Sequence, residues 1–525
     1  MQHSHATGHS LWFGGLMKFH VQVLKFGGTS VGSGERIRRV GNIIAQTLND
    51  PAQAFPVVVV SAMSKVTDQL LRIAAHVSNG EQEAYEQELT ALKQRHLDAA
   101  EKAVHNPHRG SALRQDLETA FTLLEQDVAR LRSKVGAQCV SSNVVERNEL
   151  RITCAPYIAA IAAWGERLSV LLVAACAVDI GLQAVPVREE VIITDQLNAE
   201  PAQPYGIGAD PLSEETRANV QALISPLIEQ RVVPVAAGFI GRTTTGCVTT
   251  LGRNGSDYSA TVIGAALDCV EVCIYSDVDG VLTADPRLVV NARLLTRLSY
   301  AEAARLSWFG AKVLHPRTLI PIAHRNIPVR VRNTFRPGNR GTAVGPEGSQ
   351  KSGAAAITVH RHLALITVES TDLFGVPESA GQVFALAARA GAAPVAICSS
   401  SGHHLSFVVE EQAAESIVAL LQREMDAPGF PRQQTWHVRS RSGLAACACI
   451  GSGFTVDPMS PARAITALAR ERIPVITQGA SELGITLIVE DVDSERALRC
   501  LHRDLIAPVI PLVRHPVEEK RREAL

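Results

Sequence analysis

The stretch FHVQVLKFGGTSVGSGERIRRV, residues 19–40, sets an apolar run directly before a lysine, a pair of glycines and a short Thr/Ser loop, and then passes into a helical pattern. Residues 19–26 read as a buried strand and 33–48 as the helix that follows. A strand that ends in Gly27 and Gly28 lets the backbone approach a ligand closely and presents main-chain N–H groups to an anion, with Lys25 adding a point charge. The spacing is not the Walker pattern G-x-x-x-x-G-K-[ST], and glycine turns after strands are also ordinary structural devices. On this segment alone a phosphate loop and a plain tight turn are both open.

Working outward, further apolar runs recur with helical stretches between them: FPVVVVSA, QAVPVRE, RVVPVAAG, VEVCIYS and IPVRVRN read as short buried strands, and 257–267 reads as a helix. Such alternation predicts a mainly parallel sheet covered by helices on both faces. Residues 68–135 interrupt it with charged amphipathic helix patterns, read as a helical insertion with solvated faces. RPGNRGTAVGPEGSQKSG, residues 336–353, is rich in Gly, Pro and Ser and marks a linker that closes a catalytic half at 19–335. Beyond it the plan strand, Gly-containing loop, Ala-rich helix, Pro-started strand, small polar turn, strand occurs twice, with Pro394 and Pro474 at equivalent positions. The repeats predict two small α/β modules, 354–435 and 436–515, that pair their sheets, followed by a charged tail at 516–525.

Composition narrows the function. A chain of 525 residues with formal net charge −1 and 46% apolar residues has ample material for several cores and no basic excess for nucleic acid. Ten cysteines without a C-x-x-C pair fit a reducing cytoplasm, and Cys447 and Cys449 read as core filling. The most apolar window, 152–178, carries Glu166 and Arg167 at its centre, against a membrane span. Residues 1–18 read as a disordered leader lacking signal-peptide features, with Met17 an alternative start.

Two more clusters join the first. TTLGRNGSDYSA places Arg253, Ser256 and Asp257 in a Gly-broken loop before an apolar helix, where Ser256 or Asp257 serves either as an N-cap or as part of a ligand site. SDVDGVLTADPR ends a strand in Ser276 and Asp277 and continues through a turn to Leu282 and Arg287, and FGAKVLHPRT then offers Lys312 beside a glycine.

KFGGTSV, TTLGRNGSDYSA, SDVDGVLTADPR and FGAKVLHPRT, in this order and at these separations, resemble the aspartate kinases of the amino acid kinase superfamily, from about residue 19 to 512. The resemblance implies the α/β amino acid kinase fold, a helical insertion and two C-terminal ferredoxin-like ACT modules. It implies transfer of the ATP γ-phosphate to the β-carboxylate of aspartate, with magnesium held mainly by the phosphates and not by the protein. Lys25, Asp257 and Lys312 would be catalytic. Lys25, Gly27, Gly28, Ser276, Asp277, Leu282, Arg287 and Lys312 would bind ATP; Ser30, Thr67, Glu166, Arg253 and Ser256 would bind aspartate, with Arg253 on the α-carboxylate and Glu166 on the α-ammonium.

Two departures from the family pattern, Leu282 where tyrosine is common and Ser276 where threonine is usual, remove no charge. Gln478, Gly479, Ala480 and Ser481 resemble the turn of threonine-responsive relatives, with lysine the second choice of effector, and stand opposite Cys398 to Ser401 of the first module. The closest likeness is to the kinase part of bifunctional aspartokinase/homoserine dehydrogenases, so the chain reads as a monofunctional relative or as the kinase half of a longer product. Paired ACT modules also imply at least a homodimer. Kinases of glutamate or acetylglutamate, and a silent amino-acid sensor on the same fold, are the competing readings.

Overall fold

The apolar runs become strands of one sheet. In this computed structural model the described residues are 20–138, 144–195, 198–199, 207–252, 254–311, 314–348, 353–370, 376–391, 393–401, 404–425, 436–452, 454 and 457–506. They divide into two packed units, one containing residues up to Gly280 with Arg317–Pro346, the other containing Val281–Pro316 with the residues from Glu347 onward.

The first unit centres on Val21–Phe26, which pairs in parallel with Phe55–Val60 on one side and Glu271–Ser276 on the other. Val233–Ala237 and Ala184–Pro186 extend the sheet beyond Phe55–Val60, and Val329–Asn333 extends it beyond Glu271–Ser276; Thr342–Gly345 pairs antiparallel with Val329–Asn333. Val23, Val57, Val58, Val59 and Val60 are fully buried, as expected of parallel strands covered on both faces. Helix Gly34–Asn49 begins at Ser33, whose hydroxyl accepts the N–H of Arg36.

The insertion is three helices, Val66–Asn79, Gln82–Ala103 and Pro107–Gln138, packed on the long helix Val144–Asp179. Its portion Cys154–Asp179 is long and apolar enough to cross a membrane, but 83% of its most apolar window is buried inside the protein. Gly165 brings this helix against the loop after Phe55–Val60: a Cβ there would stand 2.7 Å from the Ala62 Cβ and 3.3 Å from Val66 Cγ1.

In the second unit the repeat is one continuous antiparallel sheet. Its first strands, Ala356–Ser370 and Trp436–Ile450, pair along their length from Ala356 opposite Ile450 to Ser370 opposite Trp436. His404–Glu410 and Ala396–Ser401 continue one flank; Gly484–Glu490 and Thr477–Ser481 continue the other. The two modules therefore pair within the chain, a point that periodicity leaves open. The two edge strands also approach each other, since Cys398 shares a hydrogen bond with the Thr477 side chain. Residues 398–401 and 478–481, expected as turns, are strand residues instead, because each belongs to the first arm of a hairpin. Helices Val376–Arg389 and Glu411–Met425 cover the first module, and Met459–Arg470 and Ser494–Leu505 the second. Cys447 and Cys449 are fully buried in the second core, as the alternation predicts, and burial pushes the Cys447 thiol up to about 12.

Val281–Pro316 packs with the modules, whereas the linker at 336–353 predicts it within the catalytic half. Ala284 and Val289 are part of the second module's core, together with Cys447, Leu468 and Leu487. Helix Tyr300–Trp308 in this segment is started by a capping box in which Ser299 and Glu302 satisfy each other's backbone N–H. Fully buried Glu302 also accepts the N–H of Ser452 at 2.7 Å. The Trp308 indole donates to the Val395 carbonyl at 2.9 Å, and the Thr358 hydroxyl to the Phe309 carbonyl at 3.1 Å. Local pattern shows that these residues form a helix, but not which neighbour buries it.

Replacing Gly165 by alanine forces the helix off the 61–66 loop and is expected to lower stability by about 1–3 kcal/mol, measured as a shift of the urea midpoint. An unchanged midpoint would show that the contact yields freely.

Candidate active site

The cleft lies at the carboxyl ends of the parallel strands, where such sheets leave a crevice. Its volume is about 370 Å³, and Lys25, Gly28, Thr67, Glu166, Ser256 and Asp257 line it with residues 61–65, Asp68, Phe239 and Asn254. Of the sequence-predicted substrate and phosphate groups, the structure thus brings these six together.

Lys25 is 7% exposed and forms an ion pair with Asp257. Asp257 stands in the first turn of helix Gly255–Ala266. Neither it nor Ser256 is the N-cap: Asn254 takes that position in a left-handed conformation with φ 58°, and its side chain makes no capping bond. Both side chains are consequently available to the cleft. Gly238 allows this helix start to approach the end of Val233–Ala237, since a Cβ on Gly238 would stand 2.7 Å from the Ser256 Cβ.

Glu166 reaches the same cleft from helix Val144–Asp179, 3% exposed. Its carboxyl accepts the Ala62 N–H, while Oε2 has no partner among the described residues. Burial pushes its pKa up to about 8 against the opposing pull of that hydrogen bond and of Lys25. At neutral pH the group is therefore protonated.

The two glycines differ. The Gly27 N–H is already bonded to the Tyr275 carbonyl at 3.1 Å, so it is not offered to a phosphate. The Gly28 carbonyl takes the Ser64 N–H at 3.1 Å, which knits the first glycine loop to the 61–65 loop, and a Cβ on Gly28 would stand 2.8 Å from the Ala62 carbonyl oxygen. Only glycine fits there.

Other expected residues lie elsewhere. Ser30 is fully buried and does not line the cleft; its hydroxyl lies 2.6 Å from Thr334 Oγ1, where it joins two loops of the sheet end. Ser276 ends its strand and accepts the Val278 N–H, and Asp277 follows, exposed. Leu282 and Arg287 belong to the second unit, where Leu282 bridges Leu294 and Arg287 is paired with Asp285 at 2.6 Å. Gln478, Ala480 and Ser481 are exposed on the edge strand, while Gly479 lies against Ile397. Arg253 and Lys312 lie outside the described residues.

Sequence reasoning missed residues 61–65, SAMSK. The signal was present, because a small polar run after FPVVVV repeats the grammar of GGTS after VQVLKF. Lys65, with φ 64°, starts helix Val66–Asn79 and adds a second cation to the rim.

The comparisons agree with this geometry. The amino acid kinase family model matches residues 20–333, and an ACT domain model matches 448–505. The chain belongs to the amino acid kinase family. Its relatives include the chloroplastic bifunctional aspartokinase/homoserine dehydrogenase 2 of Zea mays, 32% identical over 91% of this chain and 50% of that protein. Chloroplastic aspartokinase 1 of Arabidopsis thaliana is 30% identical over 92% of this chain and 79% of its own length. Among solved structures, E. coli aspartokinase III with aspartate and ADP superposes at a TM-score of 0.70, with 25% identity over 92% of this chain and 99% of that one. The same enzyme with lysine and aspartate gives 0.69, with 25% identity over 93% of this chain and 99% of that one. The chain spans about half the length of the bifunctional relatives it matches.

Glu166 makes stability pH-dependent in a defined sense. Its carboxyl ionises near 4.5 in the unfolded chain and near about 8 in the fold. Between those values the folded state holds a proton that the unfolded state has lost, so raising the pH favours unfolding, by up to about 1.4 kcal/mol per pH unit. Wild type is expected to lose stability relative to Glu166→Gln as pH rises from 5 to 8, in urea unfolding at each pH. Parallel profiles would mean that Glu166 is ionised in the empty cleft.

Proposed function

We propose that the chain is an aspartate kinase, forming 4-phospho-L-aspartate and ADP from L-aspartate and ATP in the cytoplasm, as the first step toward lysine, threonine and methionine. The observation that carries this reading is the meeting of Lys25, Asp257 and buried Glu166 where two glycine loops converge. E. coli aspartokinase III, solved with aspartate and ADP, supplies the substrate pair.

The chemistry suits these groups. The β-carboxylate of aspartate is ionised at neutral pH and attacks the γ-phosphorus without a general base, while the bond to the β-phosphate oxygen breaks and ADP leaves. The difficulty is to bring two anions together. Lys25, oriented by Asp257 and only 7% exposed, places a positive charge at that meeting. Ser256 and Thr67 supply hydroxyls, Arg253 a planar fork for the α-carboxylate, and Ser276 with Asp277 nucleotide contacts implied by the family. Glu166 takes the α-ammonium and gives up its proton as it does so.

Asp257 is committed to Lys25 and Glu166 is protonated, and no group of three metal-binding side chains occurs among the described residues. This arrangement fits a magnesium ion carried on the ATP phosphates. When bound, magnesium neutralises charge on the phosphate oxygens.

Feedback control belongs to the same proposal: an amino acid, threonine first and lysine second, binds at the paired modules beside strand Thr477–Ser481, in a homodimer or higher oligomer. The E. coli enzyme solved with lysine supports an amino-acid effector.

Trapping the acyl phosphate with hydroxylamine, in the presence of aspartate and ATP, tests the activity. Hydroxamate is expected with aspartate and not with glutamate; its absence would leave the chain a sensor without chemistry. Lys25→Ala is expected to reduce turnover about a hundredfold or more, and a loss below about tenfold, or ~1.4 kcal/mol, would remove Lys25 from the transition state.

The pH dependence of substrate capture is a separate test. Because the ammonium needs an ionised partner and Glu166 is protonated up to about 8, the KM for aspartate is expected to fall as pH rises from 6 to 8. Glu166→Gln should flatten that profile while raising KM throughout. A KM independent of pH in wild type would place the ammonium elsewhere.

A further inference from the structure

Helix Tyr300–Trp308 carries a guanidinium that has no carboxylate partner among the described residues. Arg305 is half-buried, and its Nη1 donates to Ser481 Oγ at 2.5 Å. Its Nε is shielded from solvent and has no hydrogen-bond partner among the described residues. The guanidinium carbon lies 5.7 Å from the centre of the Phe309 ring. Burial alone holds the pKa of Arg305 below its ordinary value. Two arginines of the same unit that have carboxylates are shifted the other way: Arg361 beside Asp491 and Arg503 beside Asp504 and Glu471 are both raised. A half-buried cation with an unused N–H is an unfavourable arrangement unless an anion joins it. Its planar fork matches a carboxylate.

The surroundings point to an amino acid. Ser481 ends the edge strand of the second module, and Trp308, one helical turn beyond Arg305, is bonded to Val395 just ahead of the edge strand of the first. One helix face thus touches both edges, which themselves meet through Cys398 and Thr477. Trp308 and Ile397 are 48% and 57% exposed, so apolar surface is open beside both edges. Alternation along Thr477–Ser481 puts Ser481 and Gly479 on one face of the strand and Gln478 on the other.

We propose that Arg305 binds the α-carboxylate of the regulatory amino acid, in a site framed by helix Tyr300–Trp308 and the edge strands Ala396–Ser401 and Thr477–Ser481. The proposal rests on the reading of the paired modules as amino-acid sensors and adds to it the ligand group, the anchoring residue and the face of the strand. It also makes the helix preceding Lys312 a wall of the effector site.

Calorimetric titration of the full chain with L-threonine and L-lysine, and with their carboxamides, tests it in wild type, Arg305→Gln, Arg305→Lys and Gln478→Ala. In wild type one of the acids is expected to bind at least about tenfold more tightly than its amide, which lacks the negative charge. Arg305→Gln should weaken the acid to the level of the amide and leave the amide unchanged, and Arg305→Lys should keep part of the preference. Equal binding of acid and amide in wild type overturns the proposal without any variant. So does a loss confined to Gln478→Ala, which would put the ligand on the other face and leave the sensor reading intact. Binding of neither acid to wild type overturns the sensor reading, and the proposal with it.

Discussion

Three ionisable groups compete for one enclosed space, and the rest of the site follows from how their charges are settled. Lys25 and Asp257 balance each other; Glu166, buried beside them, would add an uncompensated negative charge if ionised. The fold avoids this by keeping Glu166 protonated until a cation arrives. The empty cleft is thus close to neutral. On the proposed reading, aspartate would bring its own ammonium and carboxylate to this arrangement.

Holding those groups apart by a fixed distance is the task of the backbone, and glycine does it at two points. Gly28 and Gly165 both press against Ala62, one from the first strand's loop and one from the long helix. The 61–65 segment is consequently clamped between the element that carries Lys25 and the element that carries Glu166. A shift of any one of the three is transmitted to the others, because packed interiors do not absorb displacements of this kind.

What could be read from the sequence divides along the same line between side chain and backbone. VQVLKF, FPVVVV and EVCIYS announce themselves as strands because parallel strands buried on both faces are continuous apolar runs, whereas Glu166 and Asp257, which by themselves read as ordinary helix-start residues, are legible as site residues through the family resemblance. The 61–65 loop acts through its main chain, which has no letter of its own. Asn254, Ser256 and Asp257 are all good cap formers, and only the left-handed turn decides that Asn254 takes the position. Ser30 reads like a ligand hydroxyl, yet faces Thr334, 304 residues away in the chain. The placement of Val281–Pro316 was invisible for a similar reason: SYAEAARLSWF has the same apolar spacing whichever core it joins.

That placement bears on how the chain can be taken apart. A cut at the Gly- and Pro-rich stretch that looks like a domain boundary separates Ala284 and Val289 from the Cys447, Leu468 and Leu487 core that buries them, and strips Glu302 of its bond to Ser452. The fragment kept as the catalytic half would carry a loose, apolar segment in the middle of its sequence. Duplication or loss of the C-terminal modules by recombination at that stretch therefore meets a folding barrier.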